Sequence, residues 1–209
     1  TIGGSGTVTE SNLCCGGCSP DIAVNNDAGA CGAVVTFSSP QATDNCSATV
    51  SLSSGLPSGS LFPVGTTTNT FVATDPAGNQ TTLCSFDVTV TDNELPVITC
   101  PSDVSVSNDA GVCGATVTFS DATAADNCSG VTVAQTAGPA SGSVFPVGTT
   151  TIEYTATDAS GNTATCSFTV TVTDNEAPVF NCTSNITVGN DAGVCGATVN
   201  YTTPTFTDN

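Results

Sequence analysis

A long internal repeat constrains this chain more than any other feature. Cysteines that occupy the same place in successive copies are always 82 residues apart: Cys18, Cys100 and Cys182; Cys31, Cys113 and Cys195; Cys46 and Cys128; Cys84 and Cys166. This cysteine frame needs no insertion or deletion. A period of this length is typical of complete small domains in tandem, since solenoid repeats are about 20–50 residues long.

The repeat predicts a domain layout for the whole chain. We expect the end of a preceding repeat, a Cys/Gly linker, two complete repeats and the start of a third, at residues 1–13, 14–17, 18–99, 100–181 and 182–209 respectively. The first residue is Thr1 and not Met. We therefore expect the sequence to be a segment of a longer protein.

The pattern within each repeat is that of short β-strands. Val104 and Val106 alternate with polar residues, and Cys166, Phe168 and Val170 alternate with Ser and Thr. Turn signals separate these stretches, as at Asp158 to Asn162, and no stretch has helical periodicity. Six or seven short strands in about 80 residues predict an all-β chain of tandem immunoglobulin-like β-sandwiches.

The charge of the chain excludes several classes of function. It has 18 Asp and Glu residues, no Lys, Arg or His, and a net charge of −18. Nothing can neutralise phosphate, so we exclude nucleic-acid binding and attraction to an anionic membrane surface. No apolar run is long enough to span a membrane. Serine and cysteine triads, Schiff bases and phosphate clamps all need a missing residue type, so we predict that the chain is not an enzyme.

Twelve regularly spaced cysteines predict a disulfide framework formed in an oxidising compartment. Alternation places Cys100, Cys113 and Cys166 on core faces, where a disulfide can join two sheets. Three pairings are open in each repeat, and the topology of a seven-strand sandwich favours one set: Cys18–Cys84, Cys31–Cys46, Cys100–Cys166 and Cys113–Cys128. The later repeats lack counterparts of Cys14 and Cys15, which we expect to pair with an upstream domain or to cross-link another chain.

Four motifs carry a resemblance to a known family. They are CPSDVSV at Cys100 to Val106, AADNC at Ala124 to Cys128, FPVGTT at Phe145 to Thr150, and TATDASGNTATCSFTVTV at Thr155 to Val172. Together they resemble the HYR (hyalin repeat) domain, and the first repeat matches with small departures at Ser19 and Pro76. The resemblance implies an immunoglobulin-like fold, extracellular adhesion or matrix roles, and no catalytic motif. Family members that keep only the first and fourth cysteines are consistent with the pairing chosen above.

Acidic residues concentrate at the repeat junctions and at the loops that we expect to face them. We predict calcium ligands, which are hard oxygen donors, among eight residues: Asp92, Asn93, Glu94, Asp126, Asp158, Asp174, Asn175 and Glu176. The alternative is that Asp-Asn and Asp-x-x-Gly-Asn sequences only form turns and hairpins.

These features predict a non-catalytic structural or adhesive segment, a stalk or fibre, of a secreted or cell-surface protein. Its expected cofactor is Ca²⁺, and its expected partners are neighbouring repeats, identical chains or surface glycans. A self-assembling extracellular filament and a carbohydrate-binding accessory module of an extracellular enzyme are the alternatives. The absence of Trp and the presence of only two Tyr disfavour the carbohydrate-binding module.

Overall fold

The computed structural model describes residues 14–15, 17–43 and 47–209, which form strands and turns without a helix. No helix among them is long and apolar enough to cross a membrane. In the first repeat and its linker the strands are β1 (Cys14–Cys15), β2 (Ile22–Asn25), β3 (Gly32–Val35), β4 (Ala42–Thr43), β5 (Thr49–Ser54), β6 (Ser60–Pro63), β7 (Gly65–Thr74) and β8 (Gln80–Thr91).

The second repeat has the same succession of strands. They are β9 (Val97–Thr99), β10 (Val104–Ser107), β11 (Gly114–Thr116), β12 (Thr123–Ala125), β13 (Thr132–Ala137), β14 (Val144–Pro146), β15 (Gly148–Thr157) and β16 (Thr163–Thr173). Two short strands, β17 (Val179–Asn181) and β18 (Thr205–Thr207), follow it and pair antiparallel.

Both repeats have the same sheet topology. The larger sheet has the order β2-β8-β7-β5 in the first repeat and β10-β16-β15-β13 in the second. Smaller two-stranded sheets pair β3 with β6 and β1 with β4, then β11 with β14 and β9 with β12. In these sheets β2 runs parallel to β8, with Ile22 opposite Val88, and β10 runs parallel to β16, with Val104 opposite Val170. The predicted tandem immunoglobulin-like β-sandwiches are confirmed.

The chain divides into two compact units whose limits differ from those of the repeats. The first unit holds the described residues up to 97 together with 124–132 and 156–164. The second unit holds residues 98–123, 133–155 and 165–209. The first unit therefore includes two loops that belong, by sequence, to the second repeat.

Alternating apolar residues fill each core, as expected for strands with one buried face. Phe62 and Val88 are fully buried in the first repeat, and Phe145, Ile152 and Val170 in the second. The second core also contains Tyr154, whose hydroxyl donates a hydrogen bond to Asp121 Oδ1 at 3.1 Å. Burial and this acidic neighbour raise the pKa of Tyr154.

The aspartate that follows the first cysteine of each repeat joins the first and last strands. Asp21 Oδ1 accepts a hydrogen bond from the Asp87 N–H at 2.9 Å, and Asp103 Oδ1 accepts one from the Thr169 N–H at 2.7 Å. The bond from Thr169 lowers the pKa of Asp103, since it favours the charged carboxylate. This contact gives the aspartate of the motif a structural role in both repeats.

The constant cysteine spacing conceals two single-residue insertions that cancel. Phe62 to Thr67 and Phe145 to Thr150 are 83 residues apart, because the second repeat has one extra residue between Cys128 and Thr132. The first repeat has one extra residue before Cys84. There Phe71 pairs with Cys84 but Val72 pairs with Thr82, so Leu83 forms a β-bulge. The expectation that no insertion or deletion occurs holds for the cysteines alone.

The two repeats fill one core position in different ways. In the first repeat, Asn69 is fully buried, accepts a hydrogen bond from the Leu56 N–H at 2.9 Å and donates one to the Leu56 carbonyl at 3.0 Å. The counterparts of Asn69 and Leu56 in the second repeat are Ile152 and Pro139. Proline has no N–H to satisfy, and Gln135 Nε2 donates to the Pro139 carbonyl at 3.0 Å, so an apolar side chain fits at 152.

Three disulfides are present among the described residues. Cys18–Cys84 and Cys100–Cys166 join the segments that precede β2 and β10 to β8 and β16, as the sandwich topology favours. The third is Cys31–Cys128, so the predicted pairs Cys31–Cys46 and Cys113–Cys128 are wrong. Cys113 is a free, exposed thiol.

Cys113 is exposed and does not lie on the predicted core face, and the cause is local. β11 begins at Gly114, and Cys113 lies in the preceding turn, where the Asp109 N–H donates to the Gly114 carbonyl at 2.7 Å. The alternation of Ala115 and Val117 therefore does not extend back to Cys113. Cys46, the side chains of Cys14 and Cys15, and residues 1–13 lie outside what the structure describes, so the expectations for them remain predictions.

Residues 182–209 repeat the turn of the earlier copies but leave their apolar positions exposed. The Asp191 N–H donates to the Gly196 carbonyl at 2.7 Å, as in the turn that contains Cys113. Ile186 and Val188 correspond to the core-packed Val104 and Val106, yet they are about half exposed. Among the described residues, no strand pairs with the segment of Ile186 and Val188 in the way that β16 pairs with β10.

Candidate metal site

The Cys31–Cys128 disulfide sets the geometry of the candidate site. Within the first compact unit, it fixes loop 124–132 against the turn that contains Cys31. Asn127 Nδ2 donates a hydrogen bond to the Ala30 carbonyl at 3.0 Å, so the residue before Cys128 is also anchored. The loop thereby presents Asp126 to the acidic linker that follows β8.

Two carboxylates meet at this place. Oxygens of Asp92 and Asp126 and the sulfur of Cys128 lie within 4.8 Å of one another. Asp92 is only 3 % exposed, and Asp126 is half-buried. Like charges at this distance repel by at least about 3 kcal/mol at an effective dielectric constant of about 20. The chain contains no basic side chain to offset that repulsion. We call this pair of carboxylates the Asp92–Asp126 site.

Neutral donors satisfy the Asp92–Asp126 site only in part. Asp92 Oδ1 accepts from the Glu94 N–H at 3.2 Å and from Asn127 Nδ2 at 3.5 Å. Asp92 Oδ2 accepts from Ser160 Oγ at 3.4 Å. These are long hydrogen bonds for a charged acceptor, for which about 2.7–2.9 Å is usual.

Two oxygen atoms at the site are buried without any partner: Asp126 Oδ1 and Asn127 Oδ1. A buried oxygen acceptor without a donor destabilises a fold by about 1–3 kcal/mol, and more when it is charged. These two oxygens and the Asp92 carboxylate are hard donors of the kind that Ca²⁺ takes in sets of six to eight. Cys128 is not a ligand, because its sulfur is already in a disulfide. The residues therefore fit a hard divalent cation better than a thiophilic metal.

The other two predicted ligands of the first linker, Asn93 and Glu94, form hydrogen bonds to the turn after β2. Glu94 accepts hydrogen bonds from the Gly29 N–H at 2.9 and 3.0 Å and from Asn26 Nδ2 at 3.0 Å. The Asn93 N–H donates to Asn26 Oδ1 at 3.1 Å. The linker thus closes onto the turn after β2, and the Glu94 carboxylate lies outside the Asp92–Asp126 site.

The predicted ligand Asp158 belongs to the β15–β16 hairpin. It is buried and accepts hydrogen bonds from the Asn162 N–H at 2.8 Å, from Asn162 Nδ2 at 2.8 Å and from the Ser160 N–H at 2.9 Å. Burial acts to raise the pKa of Asp158, but these hydrogen bonds together outweigh it, and the pKa is lowered. Asp158 therefore shapes the loop that carries Ser160, and the turn interpretation describes it well.

The second linker repeats the closure of the first. Glu176 Oε2 accepts from the Gly111 N–H at 2.8 Å, and the Asn175 N–H donates to Asn108 Oδ1 at 3.0 Å. Asp174 Oδ1 accepts from the Glu176 N–H at 3.0 Å and is exposed. Among the described residues, the acidic group that could hold a metal is at Asp92 and Asp126 only.

The structure adds contacts that the sequence prediction did not include. Ser160 reaches Asp92, and Asn162 Nδ2 donates to the Asp92 carbonyl at 3.1 Å. Asn127 contributes both an anchoring donor and an orphaned oxygen. A signal for Asn127 was present, because it lies in the recurring Asp-Asn-Cys motif, but no sequence pattern marks Ser160.

Comparisons with known proteins agree with the two-repeat organisation of the chain. The HYR domain family model matches residues 17–90 and 91–172. The chain is similar to hyalin of Strongylocentrotus purpuratus (36 % identity over 91 % of this chain and 16 % of that protein). It is also similar to hyalin of Lytechinus variegatus (38 % identity over 87 % of this chain and 35 % of that protein). The chain thus spans well under half the length of either relative.

Among solved structures, the protocadherin γB4 extracellular domain overlaps 84 % of this chain and 35 % of its own chain. The identity is 19 % and the TM-score 0.39, which is too low an overlap to carry an argument. The family assignment rests instead on the two consecutive family matches and on the hyalin relatives. The chain belongs to the HYR domain family.

Proposed function

We propose that this chain is a non-catalytic structural and adhesive segment, a stalk or fibre, of a secreted or cell-surface protein, and that Ca²⁺ binds at its Asp92–Asp126 site. Membership of the HYR family and similarity to the hyalins support the structural and adhesive role. The disulfides support an extracellular location, since they persist in oxidising compartments. Neighbouring repeats are the proposed partners.

One observation carries the calcium proposal. Asp92 is a nearly fully buried carboxylate that faces Asp126 in a chain without a single basic residue. The partly unsatisfied oxygens around it offer ligands, and the long bonds from Ser160 and Asn127 can be released to make room. A bound divalent cation would replace the repulsion of the two carboxylates by attraction to both.

The test is the thermal unfolding of the chain with millimolar Ca²⁺ and with a chelator. At a Ca²⁺ concentration of 100 times Kd, binding stabilises the folded state by about 2.7 kcal/mol. Asp126→Asn should abolish this gain. With the chelator, the same variant should be no less stable than the parent, because it removes the like-charge repulsion.

The matched control is Glu153→Gln, which removes one negative charge from a strand of the second repeat. It should keep the full response to Ca²⁺. The calcium proposal is wrong if the parent chain unfolds at the same temperature in Ca²⁺ and chelator. It is also wrong if Glu153→Gln lowers the response as much as Asp126→Asn, because the ion would then only screen the net charge.

A further inference from the structure

The turn that carries Cys31 recurs around Cys113. In the first turn, the Asp27 N–H donates to the Gly32 carbonyl at 2.7 Å, and Asp27 Oδ2 accepts from the Val34 N–H at 2.8 Å. In the second, the Asp109 N–H donates to the Gly114 carbonyl at 2.7 Å, and Asp109 Oδ2 accepts from the Thr116 N–H at 2.9 Å. The two cysteines are therefore held in turns of the same form, but only Cys31 is in a disulfide.

The contact that brings Cys128 to Cys31 also recurs. Asn127 Nδ2 donates to the Ala30 carbonyl at 3.0 Å, directly before Cys31. Asn209, one period after Asn127, donates through Nδ2 to the Val112 carbonyl at 3.1 Å, directly before Cys113. The side-chain oxygens of both asparagines are buried without a partner. The position beside Cys113 is thus already occupied by the asparagine of an Asp-Asn pair, Asp208 and Asn209.

We propose that Cys113 forms a disulfide with the cysteine of an Asp-Asn-Cys loop from a following repeat, in the register of Asp126 to Cys128. In that register, the incoming cysteine comes directly after Asn209. Each repeat would then be joined covalently to the next by the second cysteine of one and the third cysteine of the other. This inference concerns a link that the calcium proposal does not require.

The bond forms by thiol–disulfide exchange with a small-molecule disulfide such as oxidised glutathione. The Cys113 thiolate attacks one glutathione sulfur and releases the first glutathione thiolate. The thiolate of the incoming cysteine then attacks the Cys113 sulfur and releases the second. Two protein thiols are oxidised to one disulfide, two glutathione molecules are produced, and the two protons pass to solvent or to the released thiolates.

The test uses the full chain extended after Asn209 by Cys-Ser-Gly, the sequence that follows Asn127. The extended chain is oxidised in a glutathione buffer, and the disulfide-linked peptides are quantified by mass spectrometry without reduction. The chain supplies two matched competitors. Cys195 is exposed in the third copy of the turn, where the described residues place only Asn190 of the same turn, and no asparagine of a following repeat, on the Val194 carbonyl. Cys182 is exposed outside any such turn.

We expect the peptide linking the added cysteine to Cys113 to exceed those linking it to Cys182 or Cys195 by at least about tenfold, the factor that 1.4 kcal/mol of positioning provides. Asn209→Ala should reduce this excess severalfold, and denaturant should remove it. With a Ser-Ser-Gly extension, Cys113 should stay reduced, become linked to glutathione or pair with Cys46 of a second copy.

A link from Cys113 to Cys46 of a second copy would also support the proposal, because Cys46 occupies the same repeat position as Cys128. Comparable yields for the three thiols, or a preference for Cys182 or Cys195, would overturn it. An excess that survives Asn209→Ala unchanged would refute the role given to the asparagine contact.

Discussion

Removal of the Cys31–Cys128 disulfide is the most informative perturbation of this fold. The two cysteines are 97 residues apart in sequence. The Cys18–Cys84 disulfide shortens the path between them to about 57 residues. Closing a loop of roughly 57–97 residues stabilises the folded state by about 4–5 kcal/mol in the chain-entropy model. The double variant Cys31→Ser/Cys128→Ser should lose stability of this order, a large part of the 5–15 kcal/mol typical of a whole protein.

The assay is denaturant unfolding followed by two probes. Circular dichroism reports on all strands, whereas tyrosine emission reports on the region after residue 150, because Tyr154 and Tyr201 are the only fluorescent residues stronger than Phe. Amide hydrogen exchange of loop 124–132 adds a local measure, since the disulfide and Asn127 anchor that loop. Exchange there should become much faster in the double variant.

Cys113→Ser is the control, because we expect it to leave the free energy of unfolding almost unchanged. Cys113 is an exposed free thiol, so its loss should change stability by less than about 0.5 kcal/mol. If cysteines paired within each repeat instead, Cys113→Ser would break the bond to Cys128 and cost several kcal/mol. Equal losses in Cys113→Ser and the double variant, or no loss in the double variant, would refute the reasoning.

Two further predictions concern polar contacts in the sandwiches. Asn69→Ala should destabilise the first repeat by about 2–4 kcal/mol, because it leaves the partly buried N–H and carbonyl of Leu56 unpaired; urea unfolding measures this, and a loss below about 1 kcal/mol would contradict it. Asp103 has a lowered pKa, so its contribution to stability is fully present above the ordinary carboxyl value of about 4 and is lost as pH falls through the lowered value in the folded state. The free energy of unfolding should therefore fall less steeply with decreasing pH for Asp103→Asn than for the parent. Parallel curves for the two proteins would contradict this role of Asp103.

Much of the fold can be read from the sequence because strands leave a strong signal. Ile152, Tyr154 and Ala156 alternate with polar residues, and all three are buried as that alternation predicts. The turn at Asp158 to Asn162 is likewise set by local chemistry, because the Asp158 carboxylate accepts the N–H groups that the turn leaves unpaired. Local patterns and local hydrogen bonds suffice for such elements.

The Cys31–Cys128 pairing could not be predicted in the same way. Alternation is informative only inside a strand, and Cys113 lies in the turn before β11, so the alternation of Ala115 and Val117 does not locate its side chain. The true partner of Cys31 is in the next repeat by sequence, so no reasoning confined to one repeat could find it. Topology, and not composition, decides which loops meet.

The acidic linker shows a second limit of sequence reasoning. Glu94 was predicted as a metal ligand because a carboxylate there suits Ca²⁺, yet it accepts hydrogen bonds from Gly29 and Asn26. A carboxylate that binds a cation and one that binds N–H groups have the same sequence signature. Only the placement of donors separates them: Glu94 accepts hydrogen bonds of 2.9–3.0 Å, whereas those to the Asp92 side chain are 3.2–3.5 Å long.

The exchange of Asn69 and Leu56 for Ile152 and Pro139 has a practical consequence for engineering such arrays. Moving one residue between repeats would leave either the Asn69 amide or the Leu56 N–H without a partner. Moving both residues together with Gln135 or its counterpart Leu52 keeps the donors and acceptors matched. The two copies thus record, within one chain, which positions must change together. Chimeric arrays should be assembled from blocks that span residues 52–69 or 135–152 as a whole, so that the second block includes the Gln135 donor to the Pro139 carbonyl.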